Sequence, residues 1–234
     1  MSISVAMAVY NGEKYIREQI DSILPQLGSN DEIVISYDRS NDDTLKIITD
    51  YATKDPRFKI LTGPKKGATY NFENAILNCS KEYIFLCDQD DVWEKDKVEV
   101  ILKEFSKTNA DLILHDAVIV DENLKEKEPS FFKKRKCRKG ILKNIIKNSY
   151  IGCCMAFNCR LKMYILPFPK SLPMHDQWIG IIAEKYFNTH FLNKPLIKYR
   201  RHNNNISGET HSDIITMIKW RLNLLKGLFL SGKK

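Results

Sequence analysis

Short apolar runs alternate with helix-patterned segments through the first half of this chain, and that alternation restricts the fold more than any other feature. Strand-like runs fall at residues 3–9, 32–37, 58–61, 83–87 and 111–115. Between them, residues 13–27, 41–52, 69–78 and 95–105 carry apolar side chains at helical spacing. In the first of these, Tyr15, Ile16, Ile20, Ile23 and Leu24 share one face, and in the second Asp42 and Asp43 sit where a helix start favours acids. Strands separated by helices in this way form βαβ units and a mostly parallel sheet.

In such a sheet, ligands bind beyond the carboxyl ends of the strands. The residues at those ends are Tyr10 and Asn11, Asp38 and Ser40, Gly63 to Gly67, the run Asp88-Gln89-Asp90-Asp91, and Asp116. The acidic run is the most informative, because it follows directly on Tyr83-Ile84-Phe85-Leu86-Cys87. Carboxylates so close repel and raise each other's pKa unless a cation lies between them. Mg²⁺ or Mn²⁺ commonly joins such carboxylates to substrate phosphates. Asp91 taken alone also suits a helix cap.

The second half is less regular. Residues 122–147 are strongly charged, with a basic cluster from Lys133 to Lys139. Residues 150–157 read as a strand, 176–186 as an amphipathic helix, 191–199 as a strand leading into the polar run 200–208, and 214–230 as a closing amphipathic helix. With 234 residues the chain suits one sizeable domain. We expect that domain over 1–210, with a ligand-binding half at 1–120, a second half at 121–210, and the helix 211–234 appended. A net charge of +8 points to an anionic partner. The six cysteines form no CxxC pair and read as reduced structural thiols. Neither a signal-peptide pattern nor a membrane-spanning run is evident, so a cytoplasmic location is expected, with any membrane contact peripheral.

The ordered set of motifs resembles a family 2 inverting glycosyltransferase with the GT-A fold, in which a Rossmann-like sheet flanked by helices is joined to an acceptor-binding C-terminal portion. Asp88-Gln89-Asp90 matches that family's DxD motif. The resemblance implies that Asp90 ligates Mn²⁺ or Mg²⁺ while Asp88 and Gln89 meet the donor. Ala8, Tyr10 and Glu13 belong to the first-strand motif, whose aromatic residue stacks on the donor base. Tyr37-Asp38-Arg39-Ser40 occupies the place of Asp-Asp-x-Ser; Asp38 and Ser40 fit donor binding, but Tyr37 replaces the first acid. Gly67 and Asn71 resemble the segment lining the donor pocket.

Glycosyl transfer needs a base for the acceptor hydroxyl. Met174-His175-Asp176-Gln177-Trp178 stands where the family carries its catalytic acid pair, with His175 in place of the first acid, as in a rhamnosyltransferase-like subset; Asp176 is the expected base. Further on, the resemblance gives His202 a ligand role toward metal or diphosphate, Arg200 or Arg201 a phosphate role, and the polar run after them the character of a lid. Asp116, Trp93, Gly152, His175 and Trp178 are the acceptor-side candidates. The implied donor is dTDP-rhamnose or a UDP-hexose, and the implied acceptor a saccharide on a lipid diphosphate, as in bacterial surface polysaccharide synthesis. The last helix suits either a membrane interface or a homodimer contact.

Two other classes compete. A haloacid-dehalogenase-like phosphatase would use Asp88 as nucleophile, but would place that strand near the start of the chain. A basic nucleic-acid-binding module rests on charge alone, with no nucleic-acid motif, so no nucleic acid is expected as partner.

Overall fold

The computed structural model describes residues 1–170, 172, 174–202 and 214–230. Its elements in chain order are β1 (Ile3–Val9), α1 (Ile16–Ile23), β2 (Glu32–Tyr37), α2 (Thr44–Ala52), β3 (Phe58–Thr62), α3 (Ala68–Asn78), β4 (Tyr83–Asp88), β5 (Val92–Trp93) and α4 (Lys97–Thr108). There follow β6 (Leu112–Val120), β7 (Glu126–Glu128), α5 (Phe131–Arg135), α6 (Ile141–Ile146), β8 (Met155–Asn158), α7 (Lys162–Ile165), α8 (His175–Tyr186), β9 (Thr189–Arg200) and α9 (Ile214–Leu230).

The sheet runs β3-β2-β1-β4-β8-β6-β9-β5, with β7 paired to β6. Its first four strands are all parallel. β1, β2 and β4 are buried on both faces, which is why 3–9 and 83–87 read as continuous apolar runs rather than alternating ones, whereas β3 forms the partly exposed edge. The pairings beyond β4 are mixed: β8 is antiparallel to both β4 and β6, whereas β6 and β9 are parallel. β6 runs on to Val120, past the end expected near residue 115, and its ladder with β9 shifts register at Asp116. Part of the strand expected at 150–157 is a tight 3₁₀ turn, Gly152–Cys154, ahead of β8.

β2 and β3 lie to one side of β1 and β4 to the other, so the strand order reverses between β1 and β4. Side chains beyond the ends of those two strands therefore open on the crevice where a doubly wound sheet holds its ligand. Register places Ala8 opposite both Ser36 and Asp88, which brings the first-strand motif and the acidic run to one edge.

α9 lies against the domain through Leu224 and Leu228. Gly227 permits this approach: a Cβ there would lie 2.9 Å from Pro169 and 3.1 Å from Trp178. Among the described residues no helix is long and apolar enough to cross a membrane.

Candidate active site

At the β1 edge a polar lattice shapes the loop. The Gln89 amide donates to the Tyr10 carbonyl at 2.7 Å and accepts from the Tyr10 N–H at 2.9 Å, leaving the Tyr10 ring half exposed above the crevice. Asn11 sits at φ 47°, its N–H donating to Ser40 Oγ at 2.9 Å. Glu13 Oε2 accepts from the Asp43 N–H ahead of α2 at 2.7 Å. The Tyr37 hydroxyl accepts from the Ser40 N–H at 2.9 Å, so the residue replacing an acid braces the turn that carries Ser40.

Asp38 is buried beside Gly63 and Asn71, where a Cβ on Gly63 would lie 2.3 Å from the Asp38 carboxylate. Its Oδ1 accepts from the Lys65 N–H at 2.8 Å. Asn71 holds the end of β1 by donating to the Val9 carbonyl at 3.3 Å, and Gly67 opens α3 at φ 86°.

The acidic run gathers its partners from far along the chain. His202 Nε2 lies 2.9 Å from Asp90 Oδ2, with its ring stacked 4.8 Å from Tyr15. Asp91 is buried: Oδ1 accepts from the Arg200 N–H at 2.9 Å, while Oδ2 has no hydrogen-bond partner. Oxygens of Asp88 and Asp91 and the Cys153 thiol lie within 4.8 Å of one another. Burial pushes the Asp88 carboxyl up, and the charges of Asp90 and Asp176 push it further. Asp176 itself, at the start of α8, is raised to about 6 by burial; its Oδ1 accepts from Gln177 N–H at 2.6 Å and from Asn148 at 3.4 Å. An orphaned buried carboxylate oxygen and three mutually repelling acids fit a bound divalent cation, whose charge would relieve both costs.

The model of the Glycosyl transferase family 2 family matches residues 4–164. The chain belongs to family 2. WfgD of Escherichia coli, a UDP-Glc:alpha-D-GlcNAc-diphosphoundecaprenol beta-1,3-glucosyltransferase, is 27% identical over 216 residues, covering 91% of this chain and 82% of that one. The dTDP-rhamnosyl transferase RfbG of Shigella flexneri is 41% identical over 99 residues, 40% of this chain and 34% of its own. The crystal structure of S. aureus TarS 1-349 in complex with UDP-GlcNAc superposes with a TM-score of 0.78 at 20% identity, covering 98% of this chain and 67% of TarS. The GT-A fold and the glycosyltransferase class follow, and the phosphatase and nucleic-acid readings find no support.

Within this family 2 domain several expected site residues turn out to build the frame. Arg200 is buried; its guanidinium donates to the carbonyls of Asp90 at 2.7 Å and Glu122 at 2.6 Å and pairs with Glu18, so it clamps the acidic loop rather than offering an open phosphate ligand. Gln89 and Glu13 keep exposed surface at the crevice edge while the Gln89 amide also holds the Tyr10 backbone and a Glu13 oxygen accepts from the N–H ahead of α2. Asp116 is buried and accepts from the N–H groups of Ala117 and Phe132 and from the Ser130 hydroxyl, which fixes α5. Trp93 and Trp178 are core residues, 3% and 2% exposed, and the Trp178 indole donates to the Ile165 carbonyl at 2.9 Å. They form no open stacking wall.

The space at Gly152 belongs to His175, whose Nε2 would lie 2.6 Å from a Cβ there. The His175 ring stacks 4.1 Å from Phe72, and burial pushes it down to about 3, which keeps it neutral. Arg201 has its guanidinium 3.1 Å from the Tyr199 hydroxyl. The polar run expected as a lid lies outside the described residues from 203 to 208.

Two residues near the acids escaped the sequence reading. Lys97 is fully buried under the acidic loop, with Nζ 3.0 Å from the Cys153 carbonyl and 4.1 Å from the Trp93 ring centre. Asn148 holds Asp176 from the neighbouring segment. A lysine in a helix and an asparagine in a charged stretch read as solvated, so neither gave a signal.

Proposed function

We propose that the chain transfers a sugar, with inversion at the anomeric carbon, from a nucleoside-diphosphate donor to a hydroxyl of a saccharide acceptor. The observation that carries this is the meeting of Asp88, Asp90, His202 and Asp176 at the β1–β4 switch, beside the loop that carries the half-exposed Tyr10. In this reading Tyr10 stacks on the base, Asp38 reads its imide edge, and Asp88 meets the ribose or the diphosphate. Asp90 and His202 are the residues that would hold Mn²⁺ or Mg²⁺, which neutralises charge on the departing diphosphate when bound. Asp176 accepts the proton of the acceptor hydroxyl. The new bond forms from that oxygen to the anomeric carbon as the bond to the diphosphate oxygen breaks, and the two lie on opposite faces of the sugar.

WfgD and RfbG support a UDP-hexose or dTDP-rhamnose as donor, and WfgD supports an acceptor on a lipid diphosphate. Titration calorimetry with UDP and dTDP, with and without Mn²⁺, tests the donor half. One of the two should bind roughly ten times tighter or more with the ion, and Asp90→Asn should lose that gain. Asp176→Asn should bind the nucleotide normally yet turn over about 100-fold more slowly or worse. Ion-independent nucleotide binding, or full turnover by Asp176→Asn, overturns the assignment.

A further inference from the structure

Two neighbouring helices expose apolar residues where a soluble surface would be polar. On α9 the exposed positions are Ile218, Lys219, Leu222, Lys226 and Phe229, which fall within about 100° of arc on a helix. Ile218 is 49% exposed, Leu222 58% and Phe229 81%. α6 repeats the pattern with Leu142 at 75% and Ile146 at 69%, each followed by an exposed lysine, Lys143 and Lys147. The two helices touch: the Arg221 guanidinium donates to the Ile146 carbonyl at 2.9 Å. No acid occurs in α9 or in residues 133–147, which hold only basic charges.

We infer that the face made by α6 and α9 docks on an anionic lipid bilayer, its apolar side chains entering the headgroup boundary and its lysines meeting lipid phosphates. Apolar tips interleaved with lysines are the composition of a helix lying in that interface, where each basic side chain near an anionic surface adds attraction. A second protein copy would have to bring the same basic face against itself, and like charge opposes that pairing. The opposite face of α9 is already spent on the domain, with Leu224 and Leu228 buried and Lys185 donating to the Leu228 carbonyl at 2.7 Å. The helix therefore serves as a fixed plate rather than a loose tail.

The placement suits the chemistry. Asn148, two residues beyond α6, bonds the proposed base Asp176, so the lipid-facing surface ends beside the place where an acceptor hydroxyl would arrive. The inference deepens the transferase reading by naming where a lipid-borne acceptor comes from; lipid binding itself does not depend on that reading.

Sedimentation of the full chain with vesicles provides the test. It should pellet with phosphatidylglycerol–phosphatidylcholine vesicles, remain in solution with phosphatidylcholine alone, and partition less as salt rises. The combined Ile218→Ser, Leu222→Ser and Phe229→Ser variant, and separately Lys143→Glu with Lys147→Glu, should each lose roughly tenfold or more in partition. Both should keep the parent's melting temperature and nucleotide binding. A parent that stays in solution with anionic vesicles, or variants that pellet as it does, overturns the proposal. So does a dimer in sedimentation equilibrium that the serine variant splits while vesicles capture nothing. Vesicle binding without nucleotide binding would instead sink the transferase reading and leave this one standing.

Discussion

Asp176 shows how one residue acquires a role from its surroundings. In solution an aspartate ionises near 4, but here burial raises the carboxyl to about 6, while Gln177 and Asn148 hold one of its oxygens. Only the ionised form accepts a proton. At saturating donor, turnover should therefore climb about tenfold per pH unit below this pKa and level off above it. The residual rate of Asp176→Asn should lack that limb; a parent profile flat between pH 5 and about 7 would contradict the assignment. Asp88 and Asp91 contribute differently. The burial of Asp91 is a cost that a cation can offset, so it marks a site more than it acts at one, whereas the partly exposed Asp88 is the one proposed to meet the donor.

The tight turn Gly152–Cys154 and the start of α8 fit together as a pair of elements. His175 projects from α8 into the space over Gly152 and stacks on Phe72 of α3, so three elements meet at one imidazole. Gly152→Ala puts a methyl 2.6 Å from His175 Nε2. The ring must move, and Asp176 moves with it. We expect a stability loss of about 1–3 kcal/mol by denaturant titration. Turnover should fall more than nucleotide affinity, because Tyr10 and Asp38 lie on other elements. A neutral Gly152→Ala would show that the turn yields freely. The loop after β1 follows the same logic: Gln89 from the end of β4 fixes the Tyr10 backbone, and a Cβ on Gly12 would strike that amide at 2.5 Å.

At the scale of the whole molecule, the site forms only when the chain has closed on itself, since His202 and Arg200 must return to the β4 loop through β9. Ligand binding should therefore stabilise the entire domain. With nucleotide at about 100 times its Kd and Mn²⁺ present, the gain is about 2.7 kcal/mol, or roughly 5–10 °C in Tm for a chain of this size. Asp90→Asn should show a smaller rise that no longer depends on the ion; a rise equal to the parent's would remove Asp90 from the ion's ligands.

Residue order alone determined the parallel core, because burial on both faces leaves unbroken apolar runs, and it determined the acidic edge, because three carboxylates after a buried strand have few other uses. The family resemblance, rather than local pattern, named His175-Asp176 and His202 as candidates, and the fold sets His202 against Asp90. Tertiary structure decided which charges are free and which are structural. Arg200, Asp116, Trp93 and Trp178 look like ligands in one dimension and prove to be clamps and core in three. Lys97 looks solvated and is fully buried. The physical reason is that a polar side chain's role depends on which partners satisfy it, and those partners come from strands and turns tens of residues away, brought together by sheet pairing that local periodicity does not encode.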